Sequence, residues 1–171
     1  NRDLSAQEGA LTQLLATYRR GRQLSRGIKC VLAGRPNAGK SSLLNALTGY
    51  ERAIVTDIPG TTRDTVEESV ELGGVPLRLI DTAGLRKSDD PIEQLGVARS
   101  QAAMEEAELL LVLWDQSAPL QPEDVQLLKK AMALAPTILV WTKEDLSPAS
   151  VSLPPLDPMP PVVEVSAKTG E

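Results

Sequence analysis

The sequence holds no histidine and no phenylalanine, a single cysteine, and only four aromatic residues among 171. Each shortage removes a class of chemistry. Without histidine the commonest general base is gone, so proton transfer falls to a carboxylate, a metal-bound water or the substrate itself. One thiol, Cys30, excludes an intramolecular disulfide and a cysteine metal cluster. Set in the apolar run "IKCVLAG", it reads as a buried structural thiol. Its isolation also fits a cytoplasmic location. Tyr18, Tyr50, Trp114 and Trp141 are too few to stack along a single strand of nucleic acid, and a net charge of −5 provides no basic stripe for its backbone. No run of about 18 apolar residues occurs, so no membrane span is expected, and no signal peptide is visible. The start, "NRDLSAQ", lacks Met and reads as a cut end.

What is present suits one soluble domain. Apolar residues make up 42% and charged residues 24%, and a chain this long buries roughly 70% of its unfolded surface. Residues 4–24 read as a helix, with Leu4, Leu11, Leu14, Leu15 and Tyr18 at three- and four-residue spacing. The reading favoured here assigns residues 1–26 to a helix leading in from a neighbouring domain, and residues 27–171 to the main domain.

From there short apolar strands alternate with helices. The strands are "GIKCVLAG", "TVEESVEL", "VPLRLIDT", "ELLLVLWD", "PTILVWTK" and "PVVEVSA". The helices are "KSSLLNALTG", "PIEQLGVARSQAAMEEA" and "QPEDVQLLKKAMAL". Gly73-Gly74 marks a hairpin between the second and third strands. "SPASVSLPPLDPMPP" is too rich in proline for either element. The expected class is α/β, a mostly parallel six-stranded sheet with one antiparallel strand and helices on both faces. A further helix is expected where the chain stops at "KTGE".

Three stretches carry chemistry. "GRPNAGKS" fits G-x-x-x-x-G-K-[ST] at Gly34, Gly39, Lys40 and Ser41, between a strand and a helix. In such a loop the glycines let backbone N–H groups turn toward phosphate, Lys40 reaches the β- and γ-phosphates, and the Ser41 hydroxyl ligates magnesium. Asn37, Ala38 and Ser42 complete the expected phosphate-side contacts. "DTAGLR" follows an apolar strand and presents Asp81 as a second magnesium ligand, with Thr82, Ala83 and Gly84 beside the γ-phosphate. The residue after Gly84 is Leu85, which cannot orient a water where a glutamine commonly does. "TKED" offers the Asp145 carboxylate to the N1–H and N2–H₂ edge of guanine, with the Lys143 stem over the base. "SAK" at Ser166, Ala167 and Lys168 adds a backbone N–H toward the guanine oxygen. Either stretch alone is weak; in this order after a phosphate loop they are a strong sign of GTP and GDP. The ordinary alternatives are a ligand-free glycine turn and two short stretches common on loops.

Two residues stay open on this reading. Asn37 offers its side-chain carbonyl to a monovalent cation, or bonds its own loop as asparagine often does. Glu93 either approaches the attacking water or is a solvated helix-start carboxylate like Asp89 and Asp90.

The motif order resembles the translation-associated P-loop GTPases, with their Ras-like fold. "GTTRD", at Gly60 to Asp64, is shared by the Der (EngA) and MnmE (TrmE) families. "GRPNAGKSSLLNAL" and "SDDPIEQLGVARS" resemble the G domain of the MnmE family, over nearly the whole chain from about residue 20. The resemblance implies a GTPase activated when two G domains of a homodimer meet, and stimulated by potassium in place of an arginine finger. It implies potassium ligands at Asn37, Thr56, Ile58 and Thr61, and a catalytic role for Glu93 alongside Asn37 and Lys40. The switch residues Asp57, Pro59, Gly60 and Thr62 are expected near the nucleotide, with Thr62 on magnesium; Thr61 can exchange roles with it. Arg63 as a finger is a lesser option. The resemblance also implies the flavoprotein partner MnmG and tRNA wobble-uridine modification, with tRNA bound outside this segment. The family usually has Asn where Thr142 stands, which points to looser base binding. The rival readings are a Der-like ribosome-assembly GTPase, a binding module that barely hydrolyses, and, more remotely, a P-loop ATPase.

Overall fold

In the computed structural model the described residues are 26–49, 54–55, 67–82, 93–147 and 155–170. The helix expected over residues 4–24 lies outside them. The elements among them are β1 (Ile28–Ala33), α1 (Lys40–Thr48), β2 (Ile54–Val55), β3 (Glu67–Leu72), β4 (Val75–Asp81), α2 (Glu93–Glu105), β5 (Leu109–Asp115), α3 (Pro122–Leu134), β6 (Thr137–Thr142) and β7 (Val162–Glu164). They form one sheet in the order β2-β3-β4-β1-β5-β6-β7. The six strands read from the sequence are all present, and the two-residue β2 is added at the edge. Only β3 runs against its neighbours; β1 pairs in parallel with β4 and β5, β5 with β6, and β6 with β7.

The antiparallel pair follows from its turn. Leu72 pairs with Val75 across Gly73 and Gly74, whose φ values are 59° and 80°. Two successive left-handed residues are what a tight hairpin of this twist needs, and glycine adopts them without a Cβ penalty.

The central strands are apolar on both faces, and alternation sends their residues to two cores. From β1, Cys30 and Leu32 pack with Leu43 and Leu44 of α1, whereas Val31 and Ala33 pack with Met104 of α2 and with Leu128 and Ala131 of α3. β5 divides likewise, with Leu110, Val112 and Trp114 on the second side and Leu113 on the first. Trp114 and Trp141 meet edge to face, their ring centroids 5.5 Å apart. Cys30 has no exposed surface, and burial pushes its thiol up to about 12, in keeping with an inert structural residue.

The helices start and stop as their sequences direct, with small differences. α3 begins at Pro122, whose missing N–H costs nothing in a first turn, and the Asp124 carboxylate accepts from the Gln121 N–H at 2.9 Å. Gly49 ends α1 with its N–H on Asn45 O at 2.9 Å, in a right-handed rather than left-handed conformation. α2 begins at Glu93; Pro91, which opens the helical stretch "PIEQLGVARSQAAMEEA", lies outside the described residues. No helix among the described residues is long and apolar enough to cross a membrane.

Candidate nucleotide-binding site

The parallel strands β4, β1, β5, β6 and β7 point their carboxyl ends the same way, so the segments leaving them gather along one rim. That rim is where open α/β sheets bind ligands. It brings together residues 34–41 after β1, Asp81 at the end of β4, Asp115 at the end of β5, Lys143–Asp145 after β6 and Ser166–Lys168 after β7.

The loop after β1 leaves the sheet through Gly34. A Cβ there would lie 2.7 Å from Leu113 O, too close for any other residue without displacing β5. Asn37 (φ 64°) and Gly39 (φ 90°) take the left-handed conformation, and the Ala38 N–H donates to Arg35 O at 3.2 Å. The loop thereby curls over the N-terminus of α1. Lys40, the first residue of α1, is buried, and its ammonium donates to Gly34 O at 2.8 Å and Arg35 O at 2.7 Å. The cation is thus held at the centre of the loop. Asn37 itself is exposed.

Next to it the Ser41 hydroxyl donates to Asp81 Oδ2 at 2.6 Å, and Asp81 is buried. A hydroxyl and a carboxylate converging beside a helix N-terminus are the hard oxygen donors that magnesium prefers, one carboxylate with the remaining positions left to phosphate and water. The residues present therefore fit the ion. Thr82 plays a different part: its hydroxyl donates to Leu32 O at 2.9 Å and anchors the end of β4 to β1.

The other end of the rim is a pocket of 410 Å³ whose walls include Gly39, Thr142, Lys143, Asp145, Ala167 and Lys168. Asp145 is held from two sides. Its Oδ1 accepts from the Ser166 hydroxyl at 2.8 Å, and the Lys168 ammonium lies 3.7 Å from Oδ2. Ser166 is buried, and its own Oγ accepts from the Thr169 N–H at 3.2 Å. The turn carrying Asp145 is closed by the Leu146 N–H on Lys143 O at 2.9 Å. Thr142 joins the two ends of the rim: buried, with its hydroxyl 2.8 Å from Ala38 O in the phosphate loop and 3.1 Å from Trp114 O on β5.

Asp115 was not foreseen as part of the site. Its carboxylate pairs with the Lys143 ammonium and accepts from the Ser117 N–H at 2.9 Å and the Ser117 hydroxyl at 2.6 Å. Burial works to raise the Asp115 pKa, and the bonds from Lys143 and Ser117 together outweigh it, leaving it below the usual carboxylate value. Lys143, with φ 63°, is drawn along the pocket wall by this contact. The only local sign in the sequence is an acidic residue closing the apolar strand "LLLVLWD".

The remaining expected site residues, Thr56, Asp57, Ile58, Pro59, Gly60, Thr61, Thr62, Ala83 and Gly84, lie outside the described residues, as do Leu85 and Arg63. Glu93 is placed as the first residue of α2.

A family model described as "50S ribosome-binding GTPase" matches residues 29–143, most of the chain. The chain belongs to this GTPase family. The match runs from β1 to Lys143, taking in the phosphate loop, Asp81 and Thr142. The domain is a GTP hydrolase with a Ras-like P-loop fold. It is similar to the tRNA modification GTPase MnmE of Symbiobacterium thermophilum, 52% identical over 95% of this chain and 36% of that protein. It is also similar to the MnmE of Chloroflexus aurantiacus, 56% identical over 80% of this chain and 32% of that protein. The chain thus spans about a third of the length of these curated relatives. Among solved structures it resembles the G domain of the T. maritima FeoB iron transporter, with a TM-score of 0.55 and 28% identity over 85% of this chain and 91% of that one. Era in complex with MgGDPNP and a 16S ribosomal RNA segment gives a TM-score of 0.59 at 28% identity over 84% of this chain and 52% of that one.

Proposed function

We propose that this GTPase domain cleaves GTP to GDP and phosphate as the nucleotide switch of a tRNA-modifying protein of the MnmE kind. The observation that carries the proposal is the pairing of two ends of one rim. Lys40 and the Ser41–Asp81 contact offer a phosphate and metal site, and the Ser166-bound carboxylate of Asp145 offers a guanine-edge acceptor in the same line.

In this reading the backbone N–H groups of residues 37–42 and the Lys40 ammonium take the β- and γ-phosphates. Ser41 and Asp81 would hold a magnesium ion, with Thr62 added when γ-phosphate is present; the ion supplies charge neutralisation at the phosphate oxygens. A water oxygen attacks the γ-phosphorus, the bond to the bridging oxygen breaks, and GDP departs with that electron pair. The water's proton passes to phosphate. Positioning and charge neutralisation account for most catalysis of this kind, so the absence of a glutamine at Leu85 does not by itself stop turnover. Glu93, opening α2, would orient the water, and Asn37, Thr56, Ile58 and Thr61 would hold a potassium ion that supplies further charge neutralisation. The resemblance of "GRPNAGKSSLLNAL" and "SDDPIEQLGVARS" to the MnmE family supports both assignments. The same resemblance supports pairing of two such domains in a homodimer, a flavoprotein partner of the MnmG kind, tRNA bound by parts outside this segment, and a cytoplasmic setting. It also supports residues 27–171 as the G domain, with residues 1–26 leading in from a neighbouring domain.

Asp145→Asn tests the base assignment. A carboxamide presents a donor where guanine also presents donors, so preference is expected to turn from GTP to XTP in competitive nucleotide binding. Unchanged GTP affinity would contradict the guanine role.

A further inference from the structure

The Thr142 hydroxyl is already spent, and this bears on how the base is read. A threonine hydroxyl has one proton. At Thr142 that proton faces two carbonyl oxygens, Ala38 O at 2.8 Å and Trp114 O at 3.1 Å, in a side chain only 4% exposed. The side chain packs on the phosphate loop as well, since a Cβ placed on Gly39 would lie 3.6 Å from Thr142 Oγ1. Thr142 is therefore a strut between β5, the phosphate loop and the start of the base-reading turn.

Thr142 lines the same pocket as Asp145 and lies against Gly39 and Ala38 of the phosphate loop, so it stands between the two ends of the rim. A guanine with its Watson–Crick edge on Asp145 and its phosphates on residues 34–41 would turn its five-membered ring toward it. The ring atom on that side able to hydrogen-bond is N7, an acceptor only. The oxygen of Thr142 has no second proton to give it. An asparagine carries two N–H donors and a carbonyl, so it could make the strut and still reach N7.

We propose that this domain binds guanine nucleotides without a hydrogen bond to N7, Thr142 acting as a positioning residue that joins the phosphate and base loops rather than as a reader of the base. The inference rests on the guanine reading of Asp145 given above.

The probe is 7-deaza-GDP, in which N7 is a C–H and the edge facing Asp145 is unchanged. Its affinity is measured beside that of GDP by calorimetry or displacement of a fluorescent nucleotide. The two are expected to bind the native domain within about twofold of each other. Thr142→Asn is expected to introduce a preference for GDP over 7-deaza-GDP of about threefold to tenfold, the worth of one hydrogen bond. Thr142→Val, which keeps the shape and removes the hydroxyl, is expected to weaken both nucleotides to the same degree. A native domain that binds 7-deaza-GDP several-fold more weakly than GDP overturns the inference, as does a valine variant that loses GDP selectively. Binding of ATP in preference to both guanine nucleotides overturns the guanine reading itself, a result distinct from the other two.

Discussion

Glu93 is the residue on which the hydrolytic account depends most, because Leu85 occupies the place from which a glutamine would serve the water. Glu93→Ala is expected to slow GTP turnover by about 10²-fold or more, within the usual range for a positioned acid–base group, while GDP affinity stays unchanged. Single-turnover hydrolysis beside equilibrium binding checks both halves, and a normal rate removes Glu93 from the mechanism. At this scale the sequence was legible wherever chemistry depends on covalent spacing. Lys40 and Ser41 follow Gly39 directly, and their places at the start of α1 follow from the loop. It was less legible where partners come from distant strands. The pairing of Asp115 with Lys143 joins the ends of β5 and β6, and no local pattern announces it. The strut made by Thr142 was hidden for the same reason: a hydroxyl shorter than an asparagine side chain nonetheless reaches Ala38 O, because the phosphate loop passes close to the end of β6.

Among the elements, the strands were the most readable, since β1, β5 and β6 are short and almost wholly apolar, as strands covered on both faces must be. The two-residue β2 escaped because Ile54 and Val55 pair only at the sheet edge, too short a run to show a period. Helix boundaries were readable where a cap is local, as at Gln121–Asp124 of α3. The β3–β4 hairpin offers a test of backbone conformation free of packing. Gly73 has φ 59° and nothing within 4 Å of a Cβ built on it. Gly73→Ala therefore meets no clash, and its cost is that of holding an alanine in the left-handed region, about 1–2 kcal/mol. Urea unfolding is expected to show a lower midpoint with an unchanged slope, the unfolding free energy falling by that amount; no loss of stability would mean that the turn relaxes to another type.

For the whole molecule, a parallel sheet with helices on both faces sends the chemistry to one rim. The phosphate end and the base end are carried by strands on either side of β5 and are tied together by Thr142. This arrangement was legible from the order of the motifs, each falling at the end of an apolar strand. The 50S ribosome-binding GTPase match covers that rim from β1 to Lys143. The central claim is that the domain hydrolyses GTP with a cation held by Asn37 standing in for a finger. The most direct measurement is GTP turnover at high protein concentration in potassium chloride and in sodium chloride of equal ionic strength, on the native domain and on Asn37→Ala. The account predicts stimulation by potassium alone, lost in the alanine variant. Equal rates in the two salts, or stimulation that survives Asn37→Ala, would contradict it.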